Sequence, residues 1–414
     1  MHLTPYRTVL RIPGMRLFML VALVARIPST ATSTALTLSV VLDRHRGYGA
    51  AGLVSAAFTV GLAVGSPLLG RAVDRRGPRP VLAVTGAAAL AFWLSAPLLP
   101  FTALVLAAVG GGLLQVPVSS LVRQSLAAKV TEDQRRQAYS LDSMSVEVSF
   151  MVGPALAILM ITQLGSGVVT LRAVGIALAL SAFVMFAYNP RTTTPRDTAS
   201  ATAAGAGAQP HRPDWLAPGF LVVLGVTAAA CLVLSGTDVS IVAMLRAHGQ
   251  TEWAGLTVIA WCAASMVGGF VHGAVPRPLT MLTLMALLGA CTIPVGVAHD
   301  WRLLSLALIP AGLACAPTVA ATIDAVSRAV PESARGEAIG RHSAALTLGS
   351  AIGAPLAGAV IDHSSPAFGF AAVGGIGAAL ALVGIATNAA RKNRQPTTFS
   401  HAPSPELVEA TVNA

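Results

Sequence analysis

Long apolar blocks are the feature of this sequence that most restricts its fold. Each runs for about 20 residues or more, the length that crosses the roughly 30 Å hydrocarbon core of a bilayer as a helix. Charged residues make up only 11% of the 414-residue chain, whereas a soluble domain carries about 25%. The sequence therefore predicts an all-α integral membrane protein.

Twelve such blocks can be placed between charged or Pro/Gly breaks, and we number them as spans 1 to 12. They lie near residues 15–42, 49–69, 80–98, 102–123, 140–163, 169–188, 217–245, 253–275, 279–298, 302–326, 340–362 and 366–389. We expect an N-terminal six-helix bundle (1–188), a flexible cytoplasmic linker (189–216), a C-terminal six-helix bundle (217–390) and a disordered cytoplasmic tail (391–414), because the last segment and the linker cannot bury apolar area.

Lys and Arg residues are distributed unevenly between alternate loops. With the N-terminus placed in the cytoplasm, the inner segments hold 21 of the 27 Lys and Arg residues, the outer loops hold five, and Arg26 lies within a span. Because cytoplasmic loops are enriched in positive charge, we expect both termini inside. The preference for Arg over Lys hints at a bacterial source, and hence an inner membrane. This asymmetry explains the net charge of +10 without nucleic-acid binding.

The four cysteines, Cys231, Cys262, Cys291 and Cys315, all lie inside predicted spans. Their spacing is typical neither of a metal site nor of a disulfide framework. The chain also lacks the G-x-x-x-x-G-K-[ST] signature of a nucleotide-binding loop. We therefore expect no metal, no cofactor and no enzymatic activity.

The two halves of the chain repeat each other. A shift of 200 residues aligns 104–157 with 304–357 without a gap and gives 14 identities in 54 positions, where roughly five would arise by chance, so we take the repeat as real. A shift of 203 residues aligns span 2 with span 8. Two halves in the same orientation imply a pseudo-two-fold axis along the membrane normal and a site between the halves near the midplane.

The segment between spans 2 and 3 reads Gly70-Arg71-Ala72-Val73-Asp74-Arg75-Arg76-Gly77-Pro78-Arg79. It resembles motif A of the major facilitator superfamily, G-x-L-x-D-[RK]-x-G-[RK]-[RK], at Gly70, Asp74, Arg75, Gly77 and Arg79. The glycines permit a tight turn and a close helix contact. The resemblance implies a monomeric secondary transporter in the lipid bilayer, which moves a small-molecule substrate by alternating access.

A second pattern, in span 5, bears on the direction of transport. Gly153 and Pro154 match the antiporter motif g-x-x-x-G-P-x-x-G-G of drug exporters, but the final glycine pair is absent, and a helix bend explains the Gly-Pro step equally well. Span 4 lacks the arginine of the family's motif B. We expect proton-coupled export of a small organic compound, with protons as coupling ion. The alternatives are an uptake symporter and a transport-inactive membrane sensor.

Ionisable and polar residues inside spans are costly and are therefore candidates for function. Arg26 lies mid-membrane in span 1, and Thr30 and Thr34 follow on the same face, with Ser33 and Thr37 alongside. This stripe either lines a wet cavity or consists of hydroxyls that bond back to their own helix beside a structural ion pair. We expect Arg26 to pair with Glu147, which lies at nearly the same depth in span 5. Gln115 and Asp238 are expected to face the interior.

Comparison of the halves predicts two contacts at the inner face. Motif A aspartates of the superfamily associate with the start of helix 11, which is positive by its dipole and here also carries Arg341 and His342. The 203-residue shift places Arg277 opposite Asp74, and the 200-residue shift places Asp142 opposite His342. We therefore expect Asp74 to contact the start of span 11 and Arg277 to contact Asp142. Asp324 and Arg328, four residues apart, are expected to form a local helix pair.

Overall fold

The structure is a computed structural model, and it describes residues 4–46, 48–190, 217–276, 278–331 and 334–394. Within these ranges the chain forms helices and short 3₁₀ turns, with no strand. Among the described residues, eleven helices are long and apolar enough to cross a membrane. The remaining span, number 9, is a shorter apolar helix that ends in a 3₁₀ turn. The protein is thus a multi-pass membrane protein.

The helices follow the predicted spans closely. A short helix, Thr4–Arg11, precedes span 1. The spans are the helices Met15–Leu42, Tyr48–Arg76, Pro78–Ser95, Phe101–Leu113 with Val118–Lys129, Arg135–Leu164, Gly167–Tyr188, Pro218–Ala247, Ala254–Ala274, Met281–Thr292, Trp301–Ala329, Arg335–His363 and Pro366–Arg394. The predicted linker lies almost entirely outside the described residues, as does the tail beyond residue 394. The last helix continues past residue 391, where the tail was predicted to begin.

Span 4 differs from the prediction because it is broken. Its first helix ends at Leu113 and its second begins at Val118. Pro117 has no N–H to donate, so the helical hydrogen bond to the carbonyl of Leu113 is missing where the helix breaks. The equivalent proline of the second half, Pro317, lies inside the continuous helix of span 10. The internal repeat therefore hides a local difference at mid-membrane.

Each span has one buried face and one lipid face. In span 1 the exposed side chains Leu17, Leu20 and Val24 recur at helical spacing, whereas Phe18 and Ala22 are buried in the core of the first half. Apolar side chains are stable on both faces, because the lipid is as apolar as the protein interior. Small residues, rather than apolar ones, therefore decide where helices approach.

Glycines make the closest helix contacts, and they do so at equivalent positions in both halves. A Cβ atom on Gly65 would collide with the carbonyl oxygen of Leu113, and one on Gly268 would collide with that of Leu313. These pairs are related by the shifts of 203 and 200 residues seen in the sequence. Spans 2 and 4 of the first half therefore pack as spans 8 and 10 do in the second.

Candidate functional site

The two halves meet along their inner ends. We call the side where Gly70–Arg79 and the start of span 11 lie the inner face. Within the described part of the chain, the hydrogen bonds and ion pairs that we find between the halves lie at the level of Glu147 or nearer to this face. They include Ser120 with Ser343 at 3.2 Å and Tyr139 with Ser327 at 2.6 Å. The inner face is therefore closed.

Asp74 binds the start of span 11. Its two carboxylate oxygens accept hydrogen bonds from the backbone N–H groups of Gly336 at 2.8 Å and Glu337 at 2.7 Å. These are orphan donors at a helix N-terminus, where a carboxylate is also favoured by the helix dipole. A Cβ atom on Gly336 would collide with the Asp74 carboxylate, and one on Gly70 with the Gly336 carbonyl. The predicted contact of Asp74 with this helix start is confirmed.

The partners within that contact differ from the expected ones. Asp74 binds backbone amides, whereas Arg341 bonds Glu337 at 3.0 Å and His342 bonds Thr322 at 2.9 Å. Glu337 also lies 3.8 Å from Arg71 across the interface. The contact therefore forms through the positive helix end that the expectation named, with the backbone amides of Gly336 and Glu337 as donors.

The other motif A residues have separate roles. Gly77 adopts a φ of 78° and begins span 3, so only this residue separates the helices of spans 2 and 3. Arg79 lies over the ring of Phe186, 5.5 Å from its centroid. Arg75 is exposed at the inner end of span 2. These residues shape the turn, while Gly70 and Asp74 make the contact.

Three charged side chains from spans 1, 4 and 5 form a buried cluster. Asp142 accepts a bond from the Nη2 atom of Arg26 at 2.6 Å and one from the Nε atom of Arg123 at 3.3 Å. The exposed fractions of the three side chains are 2%, 4% and 0% for Arg26, Arg123 and Asp142. We call this the Arg26–Asp142–Arg123 cluster. It lies within the first half of the chain.

The expected pairing of Arg26 with Glu147 is wrong. The two residues match in depth, but Asp142 and Glu147 are five residues apart on span 5, which places them about 140° apart around the helix. Asp142 therefore faces span 1, whereas Glu147 faces the other half. Arg277 lies outside the described residues, so its contact with Asp142 stays a prediction.

Glu147 is bonded by groups of the second half. Its Oε1 atom accepts a hydrogen bond from the hydroxyl of Ser265 at 2.8 Å and lies 3.7 Å from the thiol of Cys315. The Ser265 oxygen in turn accepts from the backbone N–H of Ala316 at 3.1 Å, which fixes the direction of its hydroxyl. Glu147 therefore joins the two halves at mid-membrane. Its side chain is half-buried, so solvent reaches it.

Asp238 lies on the opposite side of the same space. It is in the outer half of span 7, its side chain is exposed, and its charge interacts with that of Glu147. An exposed residue that faces the interior indicates an open cavity between the halves on the outer side. Gln115 lies in the break of span 4 with its side-chain oxygen buried and without a partner among the described residues.

The polar stripe of span 1 consists in part of hydroxyls that bond back to their own helix beside a structural ion pair, the second of its two interpretations. Arg26 is in an ion pair, and the Thr30 hydroxyl bonds the carbonyl of Ile27 at 2.9 Å and that of Ser149 at 2.7 Å. Thr34 is half-buried. Gly153 packs against this helix, where a Cβ atom would collide with the Thr30 hydroxyl. Pro154 lies within the continuous helix of span 5.

A residue before span 1 also joins the halves. Tyr6 donates a hydrogen bond to the carbonyl of Phe270 at 2.5 Å, and the two rings stack with centroids 4.8 Å apart. Its hydroxyl sits in a notch at Gly273, where a Cβ atom would collide with it. Burial raises the pKa of Tyr6 to about 12, so the hydroxyl remains a donor at neutral pH.

We expect Tyr6→Ala to loosen the closed inner face. Removal of the ring leaves the notch at Gly273 open toward Ser140, whereas Tyr6→Phe loses only the hydrogen bond, which is worth about 1 kcal/mol or roughly fivefold in population. The measurement is the labelling rate of Ser140→Cys by a maleimide in a cysteine-replaced background. Arg7→Ala, an exposed change on the same short helix, is the control. Equal rates in Tyr6→Ala and the unsubstituted background would refute a role in closure.

Sequence reasoning missed several of these residues. Arg123 was counted only as a basic residue of an inner segment, and Ser265, Glu337 and Tyr6 carry no motif. Asp324 and Arg328 form the expected local pair at 3.0 Å, and Arg328 also reaches Glu132 of the other half at 3.1 Å. Cross-half contacts depend on how the bundles dock, and no local spacing reports that.

Comparison with known proteins agrees with this geometry. A family model described as Major Facilitator Superfamily matches residues 18–275 and 247–409. No curated protein sequence matches the chain. The predicted fold of twelve membrane helices in two halves is confirmed by this match together with the solved structures that resemble the chain.

Three of those solved structures are informative about the fold. The human organic anion transporter MFSD10 (TETRAN) is 17% identical with a TM-score of 0.70, and the alignment covers 90% of this chain and 99% of that one. The proton:xylose symporter XylE, bound to 6-bromo-6-deoxy-D-glucose, is 14% identical with a TM-score of 0.60 and coverages of 88% and 94%. A bacterial homologue of the iron transporter ferroportin, in an outward-facing state with soaked iron, is 13% identical with a TM-score of 0.67 and coverages of 88% and 96%.

Proposed function

The chain belongs to the major facilitator superfamily, and from that membership we propose that it exports a small organic compound in exchange for protons by alternating access. It works as a monomer in the bacterial inner membrane, with both termini in the cytoplasm. The proposal accounts for the arginine-rich inner loops and for the closed inner face beside an open outer cavity. It also assigns proton transfer to the ionisable residues at mid-membrane.

The observation that carries the proposal is the position of Glu147. This carboxylate on the first half accepts a hydrogen bond from Ser265 of the second half. Glu147 lies about 18 Å along span 5 from its inner end, at 1.5 Å per residue. Ionisable groups at such depth are a recurrent feature of proton pathways. Asp238, exposed in the outer cavity, supplies a second acid on the route from outside.

Protonation of Glu147 links the proton to the halves. The ionised carboxylate accepts a charge-assisted hydrogen bond from Ser265, which is roughly twice as strong as a neutral one. When a proton arrives from the outer cavity, this bond weakens and the contact of span 5 with spans 8 and 10 loosens. The inner face then opens, the proton leaves to the cytoplasm, and the compound enters.

The direction of exchange can be tested in liposomes. The purified protein is reconstituted with a lumenal pH dye, at equal pH on both sides and with the membrane potential clamped by K⁺ and valinomycin. Compounds from a panel are then added outside. For a transported compound we expect the lumen to become alkaline, because each inward molecule exchanges for outgoing protons, whichever way the protein is inserted.

Two other results would contradict the proposal. Acidification of the lumen would indicate proton symport, the runner-up among the transport modes. Uptake of a radiolabelled compound without any change of lumenal pH would indicate transport that is not coupled to protons.

A further inference from the structure

The Arg26–Asp142–Arg123 cluster has too few acceptors for its donors. Each guanidinium group carries five N–H donors, and the Asp142 oxygens are given one bond from each arginine. The Nε and Nη1 atoms of Arg26 are buried without a hydrogen-bond partner among the described residues. Two cations against one anion leave a buried excess of positive charge, which is costly unless a further anion or water balances it.

The cluster borders the space between the halves. The charge of Arg123 interacts with His342 on span 11 and with Cys231 on span 7. Glu147 and Asp238 also lie within electrostatic range of Cys231. Arg123 therefore borders the interface between the halves and not the lipid.

In the closed state of the inner face, the second half covers the Arg123 end of the cluster. His342 is buried beside Arg123, and Ser120, one turn before Arg123 on span 4, bonds Ser343 at 3.2 Å. In the inward-open state that the proposed function requires, spans 4 and 11 separate, which removes this cover from Arg123. An exporter takes up its compound in that state.

We propose that the cluster binds the acidic group of the transported compound, which is a small organic anion with one carboxylate. This proposal rests on the proposed function. A carboxylate offers two acceptor oxygens that match one edge of a guanidinium group, so it takes up one of the two unpartnered Arg26 atoms together with Nη2. It also brings the buried charges to two positive and two negative. An amide of the same shape supplies one acceptor and no charge.

The test uses matched pairs of monocarboxylates and their amides: benzoate with benzamide, salicylate with salicylamide, and lactate with lactamide. Affinity is measured for each probe by thermal shift of the full chain in detergent at constant ionic strength. We expect at least one acid to bind at least about tenfold more tightly than its amide, since a charge-assisted bidentate bond is lost in the amide.

Variants of the cluster must shift this affinity in opposite directions. Arg26→Gln and Arg123→Gln are expected to weaken binding of the acid at least about tenfold, whereas Asp142→Asn removes the competing carboxylate and strengthens it. A cluster that only stabilises the fold would lose binding in all three variants. Arg172→Gln, an exposed change at the outer end of span 6, is the control and leaves the affinity unchanged.

Two results would overturn the proposal: no acid bound more tightly than its amide, or equal affinity in the unsubstituted chain and in both arginine variants. The liposome assay separates this failure from that of the proposed function. Proton exchange driven only by neutral or cationic compounds would refute the anion site and leave proton-coupled export standing. Uptake of anions without a pH change would do the reverse.

Discussion

Asp142→Ala is expected to destabilise the protein strongly, by about 3–5 kcal/mol. Asp142 is the carboxylate that both Arg26 and Arg123 bond, and all three side chains are buried. Its removal leaves two guanidinium groups without their anion in the membrane interior. The measurement is the melting temperature of the purified protein in detergent, by intrinsic fluorescence.

Asp324→Ala is the matched control. Asp324 also pairs with an arginine, Arg328, but this arginine is 47% exposed, and partly exposed pairs contribute about 1 kcal/mol or less. A melting temperature of Asp142→Ala no lower than that of Asp324→Ala would contradict the claim that the cluster stabilises the fold. Asp142→Asn, which keeps one acceptor oxygen, should fall between the two.

Glu147→Gln is expected to abolish proton-coupled flux and leave the protein folded. Glutamine keeps an oxygen that can accept from Ser265 but cannot release a proton. In the liposome assay, the change of lumenal pH on addition of a transported compound should therefore fall to that of empty liposomes.

Glu252→Gln provides the comparison, because Glu252 is exposed and lies just before span 8, at its outer end. We expect it to retain the full change of lumenal pH. Coupled flux that persists in Glu147→Gln would reduce Glu147 to a structural contact between the halves.

The sequence predicts the spans well because lipid thickness is a strong and local constraint. An apolar helix must satisfy its backbone internally and reach across the bilayer, so block length and breaks suffice to locate it. The break in span 4 escaped this logic. Pro117 and Pro317 are equivalent in the repeat, yet only the former interrupts its helix, so a proline alone does not locate a break.

The candidate site was predicted less completely, for a different reason. Depth along a helix can be counted from the sequence, and it placed Arg26 and Glu147 at one level. The partner depends instead on the angular position of a residue around its helix. On span 5 this position directs Asp142, and not Glu147, toward Arg26. The contact of Asp74 was predicted correctly, because the motif fixes both its position on the helix and its distance from the glycine turn.

Partners across the interface had no signal in the sequence at all. Ser265 and Cys315 meet Glu147 only because spans 8 and 10 dock against span 5. A serine inside a helix can bond a carbonyl of its own helix, so its presence alone predicts no partner in another span. These contacts therefore depend on how the two bundles dock.

The central claim is that protonation of Glu147 opens the inner face, and spin-label distances test it most directly. One label pair joins the inner ends of the halves, at Asp133 and Leu279, and another joins the outer ends, at Leu42 and Ala247; all four positions are exposed. Distances are compared in acidic and alkaline buffer. With Glu147 present, acidification should lengthen the inner distance and shorten the outer one. Glu147→Gln, which resembles the protonated form, should show the long inner distance in both buffers. A glutamine variant whose distances still respond to pH as those of the glutamate protein do would contradict the claim.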